Sequence, residues 1–252
     1  MRTLGIDLAA SATRTAACTL TWSEAAVTGE VHPPPLDDDD LLRLMRSADR
    51  VGIDCPLGWP AAFVDAIAAH RQGAPWPGRG AADQIAHRRR LVYRRTDEIL
   101  AATGSRPLSV STDRIGVVAL RCALLLDAFA PADGTAAPDR SGASVVAEVY
   151  PAAAMRHWGL ATGGYKTSRV RATAALDRLV VELRAAVPWL ELPDAAWDIC
   201  RRSDHAFDAV IAALVTRAVA RGLTTGPGPD DRALAAVEGW IHVPTCSLAD
   251  LR

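Results

Sequence analysis

The stretch Thr-Leu-Gly-Ile-Asp-Leu-Ala (3–9) decides how the rest of the chain reads. It is an apolar run with one carboxylate, Asp7, near its end. A carboxylate buried in an apolar strand is costly unless something pairs with it. Two later runs repeat the pattern. Val-Gly-Ile-Asp-Cys-Pro-Leu-Gly (51–58) places Asp54 at the end of an apolar run, and Ser-Val-Val-Ala-Glu-Val-Tyr-Pro (144–151) carries Glu148. Asp204 and Asp208 open a late helical segment, Ser-Asp-His-Ala-Phe-Asp-Ala-Val-Ile-Ala-Ala-Leu (203–214). Three acidic strands and an acidic helix face point to a shared cation.

Outward from the first run, 2–9, 14–22 and 25–32 read as three strands with breaks short enough for antiparallel hairpins. The acidic run Asp37 to Asp40 opens a helix over about 38–48, where carboxylates in the first turn complement the helix dipole. A fourth strand is expected at 50–55, helices at about 60–72, 84–103 and 112–130, and a polar linker at 131–143. A fifth strand follows at 144–150, then helices at about 151–158, 167–187 and 203–222. Glu238-Gly239-Trp240-Ile241-His242-Val243-Pro244 closes the chain as a short edge strand. The expected architecture is α/β: one domain over 1–252, a mixed five-stranded sheet flanked by helices, and a helical insertion at about 60–130 between the fourth and fifth strands. Sites in such sheets gather at strand ends.

The chain has 252 residues, half of them hydrophobic, which is ample for a sizeable core. Its formal net charge is -1, so no global field draws it onto a polyanion, and any such contact must come from a local patch. Five scattered cysteines (18, 55, 122, 200, 246) without a C-x-x-C pair fit reduced thiols in a cytoplasm. No secretion signal or membrane-spanning stretch is read from the sequence. Of 28 basic residues only Lys166 is lysine, so either its compact ammonium is held by its chemistry or it is a chance survivor on a surface loop.

The acidic set suits phosphodiester hydrolysis, which needs an activated water and a stabilised leaving oxyanion. Two magnesium or manganese ions roughly 4 Å apart can supply both, and such hard cations take carboxylate oxygens. Asp7, on an expected central strand, is the candidate bridge. Asp54 and Glu148 would flank it, and Asp208 would close the site from the helix. Asp204, one turn before Asp208, faces the same way as a further catalytic candidate. Asp54 or Asp208 is a candidate to orient the attacking water. His205 could reach the rim or serve structurally. Each residue also has a plain reading: Asp7 and Asp54 as turn caps, Glu148 as an arginine partner, Asp204 or Ser203 as a helix N-cap. The set as a whole would need four unrelated explanations.

Arginines 79, 88, 89, 90, 94 and 95 form a basic stretch, readable as a phosphate-binding face or as a solvated helix face. Arg94 and Arg95 are taken as substrate contacts, together with Ser11 and with Lys166 in the glycine loop Gly163-Gly164-Tyr165-Lys166-Thr167-Ser168. That loop could receive an anion before a helix or be an ordinary loop N-capped by Thr167 or Ser168.

The motifs Gly-Ile-Asp-Leu-Ala-Ala-Ser (5–11), Asp-Cys-Pro-Leu-Gly-Trp-Pro (54–60), Tyr-Arg-Arg-Thr-Asp (93–97), Glu-Val-Tyr-Pro (148–151), Tyr-Lys (165–166), Asp-His-Ala-Phe-Asp-Ala (204–209) and Glu-Gly-Trp-Ile (238–241) together resemble a domain-of-unknown-function family, number 429. Its members are described as predicted RNase-H-like nucleases. The resemblance implies the RNase H fold, metal carboxylates at Asp7, Asp54, Glu148 and Asp208, a Mg2+ or Mn2+ cofactor and a nucleic-acid partner of unspecified type. The segment 204–214 also looks like the last helix of RuvC-type junction resolvases, and a homodimer is one open option. Two rivals stand beside the nuclease. An ATP-dependent phosphotransferase like actin and the sugar kinases would use Gly5-Ile6-Asp7 with Ser11 and Thr13 as its first phosphate loop, but its second glycine-rich phosphate loop is missing. A non-catalytic binding protein on the same fold is the other.

Overall fold

The computed structural model describes residues 1–105, 107–130, 139–166 and 169–252, with the side chains of 169–172 left aside. Most of the expected linker at 131–143 and the expected N-cap at Thr167 or Ser168 lie outside the described residues. In chain order the elements are β1 (Arg2–Asp7), β2 (Ala16–Trp22), β3 (Val27–His32), α1 (Asp38–Arg46), β4 (Arg50–Ile53), α2 (Ala61–Arg71), α3 (Gln84–Val92), α4 (Arg95–Ala102), α5 (Ile115–Phe129), β5 (Val146–Val149), α6 (Pro151–His157), α7 (Arg169–Ala186), β6 (Leu190–Glu191), α8 (Asp194–Arg202), α9 (Asp204–Ala220), α10 (Arg232–Glu238) and β7 (Ile241–His242). The chain divides into two compact units, one formed by 1–55, 145–225 and 242–252, the other by 56–144 and 226–241.

The first unit is built on the sheet. Its strands run in the order β6-β3-β2-β1-β4-β5-β7. The β1–β2 and β2–β3 pairs are antiparallel, while β1–β4, β4–β5 and β3–β6 are parallel. The sheet is therefore mixed as expected, but it has seven strands rather than five. The two beyond the five are β6, two residues long and too short for an alternating pattern to announce it, and β7, which lies within the edge strand expected over 238–244.

One helix organises this unit. α9 is buried from Ala206 to Thr216, apolar on every side, as a helix covered all round must be. On one side it meets the sheet; on the others lie core side chains such as Leu179, Leu183, Trp197 and Cys200 from α7 and α8. Its approach to the sheet depends on two glycines in register, Gly5 of β1 and Gly52 of β4. A Cβ on Gly5 would stand 2.1 Å from the Ala213 amide nitrogen and 2.4 Å from the Ala209 carbonyl; one on Gly52 would stand 2.1 Å from Thr216 Oγ1. Strand alternation puts Thr3, Gly5 and Asp7 on this same face, and Thr3 Oγ1 donates to the Ala213 carbonyl at 3.3 Å. Gly-x-Asp in β1 thus has two tasks, close packing at Gly5 and a carboxylate beside the helix at Asp7.

The second unit is mainly helical. The single helix expected over 84–103 is two, α3 and α4, because Tyr93 and Arg94 are extended. Asp97 fixes the break by accepting from the Arg94 backbone N–H at 3.0 Å, the reciprocal cap that starts a new helix. The strand expected over 238–244 is shorter, since α10 runs through Glu238 and Gly239 takes a positive φ of 90° that ends it. The short helix α8 lies in the stretch between the expected helices 167–187 and 203–222, where no helix was expected.

Candidate functional site

The C-terminal ends of β1 and β4 are adjacent, since Ile6 pairs with Ile53 and the Asp54 N–H donates to the Ile6 carbonyl at 2.8 Å. Asp7 and Asp54 therefore leave the sheet side by side. α9 starts above them. Ser203 caps it, its Oγ accepting from the Ala206 N–H at 3.2 Å, and the second turn carries Asp208 inward with no exposed surface. Asp7, Asp54 and Asp208 each offer one carboxylate oxygen, and these atoms lie within 4.8 Å of one another.

Three buried or half-buried carboxylates this close repel each other and lack water to screen them. Burial, then the charge of Asp7, raises the Asp54 pKa well above the ordinary range. Burial also raises Asp208, to about 7, although Lys166 opposes the shift. Two groups attend Asp208 Oδ2: Lys166 Nζ lies 2.6 Å away and the Tyr165 hydroxyl donates from 3.4 Å. Burial and the neighbouring Asp208 charge push the Tyr165 phenol above its usual value. The turn that delivers these two residues includes Gly164 at a φ of 86°, a conformation glycine adopts without strain. The other oxygen, Asp208 Oδ1, is buried and has no hydrogen-bond partner among the described residues. An orphaned buried anion oxygen is expensive, and a cation is the simplest partner for it.

Asp7 is held from the other side. His205 Nδ1 lies 2.5 Å from Asp7 Oδ2, and Arg14 Nε donates to His205 Nε2 at 3.4 Å. The pair of contacts fits the neutral ring with its proton on Nδ1. The bond to Asp7 raises the His205 pKa, and Arg14 works against that. Asp204, in the first turn of α9, is partly exposed, with an oxygen 4.0 Å from His205 Nε2.

The match to a family model spans residues 5–232, and the family is described as a protein of unknown function (DUF429). The chain belongs to this family. No curated protein and no solved structure matches it.

Within this DUF429 member, three of the four expected metal carboxylates come together and the fourth stands apart from the cluster. Glu148 pairs with Ile53 in the sheet, one residue before the level of Asp54. Alternation turns it to the face of Ile6 and Ile53, away from Gly52 and α9. It stays near enough for its charge to contribute to the raised pKa of Asp54. Ser11 lies at the start of a short 3-10 turn, its Oγ 3.0 Å from Thr13 Oγ1 and its carbonyl accepting from Thr15 Oγ1. Arg94 and Arg95 belong to the second unit. Arg94 is buried and grips both oxygens of Asp97 at 3.1 and 2.9 Å, so its guanidinium serves packing within that unit rather than a phosphate at the surface. Arg95 is half-exposed and pairs with Asp231 at 3.0 Å. The sequence assigns no site role to Tyr165 or to Arg14. Tyr165 was legible only as the neighbour of the sole lysine, and nothing in the sequence tied Arg14 to His205.

Proposed function

We propose that this protein is a divalent-metal-dependent hydrolase of phosphodiester bonds, a nuclease, with its centre at Asp7, Asp54 and Asp208. The observation that carries the reading is the convergence of one oxygen from each of these three carboxylates within 4.8 Å, on two strand ends and a helix that are distant in sequence. The donor set is all oxygen, which suits Mg2+ or Mn2+ over softer ions. Asp208 Oδ1, without a hydrogen-bond partner among the described residues, fits a group that is completed by a cation. When bound, such an ion supplies Lewis acidity to a phosphoryl oxygen and lowers the pKa of a nearby water.

The chain's own residues have separate tasks. Asp7, on the middle strand of the sheet, is the best placed to be shared, and His205 fixes its orientation. Asp208 is steadied through Oδ2 by Lys166 and Tyr165. Asp54 stands beside Asp7 and, like Asp208, is a candidate to orient the attacking water. Support for the RNase-H-like reading comes from the core order β3-β2-β1-β4-β5 with α9 over the central strand. The phosphotransferase alternative gains nothing comparable, because β5 leads through Tyr150 straight into α6 with no glycine-rich loop. The exposed arginines of α3, Arg88 and Arg90 with Arg89 paired to Glu98, are basic surface that a polyanion would meet.

The test is a cleavage screen with Mg2+ and Mn2+ on single-stranded, duplex, hybrid and branched nucleic acids. Cleavage should require the ion and vanish in Asp7→Asn, with the circular dichroism spectrum unchanged. Cleavage retained in that variant, or none on any substrate, refutes the assignment.

A further inference from the structure

We infer that the Lys166 ammonium is a built-in second cation of the carboxylate centre, so that the centre takes one divalent ion rather than two. The inference rests on the metal-centre reading above. Its first support is position: Nζ lies 2.6 Å from Oδ2 of Asp208, one of the three clustered carboxylates. In centres with two ions, the second sits about 3.5–4 Å from the first, sharing the same carboxylates. A lysine head in hydrogen-bond contact with one of those carboxylates occupies that neighbourhood.

Charge is the second support. Ionised to hold a cation, the three carboxylates concentrate negative charge at one point, and Lys166 already supplies one of the positive charges that such a cluster calls for. Division of labour within Asp208 is the third. Oδ2 is committed to Lys166 and Tyr165, while Oδ1 is buried without a partner among the described residues, so one oxygen of Asp208 remains for an incoming ion.

Residue type is the fourth. Lys166 is the only lysine in a chain whose other 27 basic residues are arginine. An ammonium is a compact point charge with rotatable donors, and it can replace a small ion where a planar guanidinium cannot. The side chain is half-exposed, so the same ammonium can meet a substrate phosphate while it holds Asp208.

The experiment counts Mn2+ bound to the full-length protein near neutral pH, by calorimetric titration and by the electron paramagnetic resonance signal of free Mn2+. Wild type should bind one ion. Lys166→Gln and Lys166→Met, both substitutions at a half-exposed loop position, should bind two, and Lys166→Arg should not behave as wild type does in affinity for the first ion. Two ions in wild type, or one ion in both neutral variants, overturns the inference and leaves the metal-centre reading standing. No Mn2+ in wild type or any variant sinks that reading, and the inference with it.

Discussion

His205 Nδ1 lies 2.5 Å from Asp7 Oδ2, so the first strand and the first turn of α9 are joined through a ring that also receives Arg14. Groups that orient a metal-binding carboxylate typically matter about 10–100-fold in affinity. His205→Gln should weaken Mn2+ binding by about that factor while the fold is kept. Calorimetry on the two proteins measures it, and equal affinities would show that Asp7 needs no orienting partner.

The raised pKa of Asp54 means that the fold prefers its neutral form. Its favourable contribution is complete below the unfolded value of about 3.9 and is lost as pH rises through the higher folded value. Without metal, Asp54→Asn should therefore stabilise the protein more at pH 8.5 than at pH 5.5. A gain of about 1 kcal/mol would raise the melting temperature by roughly 2–4 °C. Thermal unfolding in chelator gives the answer, and a variant less stable than wild type at the higher pH would contradict the argument. Added Mn2+ should reverse the order, because only wild type keeps its full ligand set.

Gly5→Ala should cost about 1–3 kcal/mol or more, since its Cβ would meet the backbone of α9 and not a movable side chain end. Gly163→Ala is the control, as nothing lies within 4 Å of the Cβ it would add. Urea denaturation of both separates them. Equal midpoints would mean that α9 moves aside without penalty.

In the second unit, Asp97→Asn removes the charge of the carboxylate that grips the buried Arg94 guanidinium. Removing one partner of a buried pair costs about 3–5 kcal/mol. A loss below about 1 kcal/mol in chemical denaturation would show that Glu238, whose carbonyl takes a bond from Arg94 at 3.2 Å, compensates.

The sequence made the centre readable because a carboxylate in an apolar run has few innocent explanations. Asp7, Asp54 and Asp208 were found that way, and the central place of β1 followed from the run around Gly5. Glu148 carries the same signature, yet its sheet register turns it to the other face. One position of register decides which sheet face a carboxylate meets, and no single-chain pattern fixes that. Arg94 shows the converse. A charged residue in a basic stretch looked like surface, but its bidentate partner stood three residues ahead in Asp97. Lys166 was legible as unusual, and its carboxylate partner was not, because a loop and a helix 42 positions apart meet only in the folded chain.

The pairing of Gly5 and Asp7 with α9 joins two segments some 200 residues apart in sequence. During synthesis at about 5–20 residues per second, β1 waits for about 10–40 s before its helix exists. A nascent chain that ends before α9 carries at most two of the three carboxylates, Asp7 and Asp54. The three carboxylates thus meet only in a chain that already carries α9, and a polypeptide ended before that helix lacks Asp208 and with it the full group.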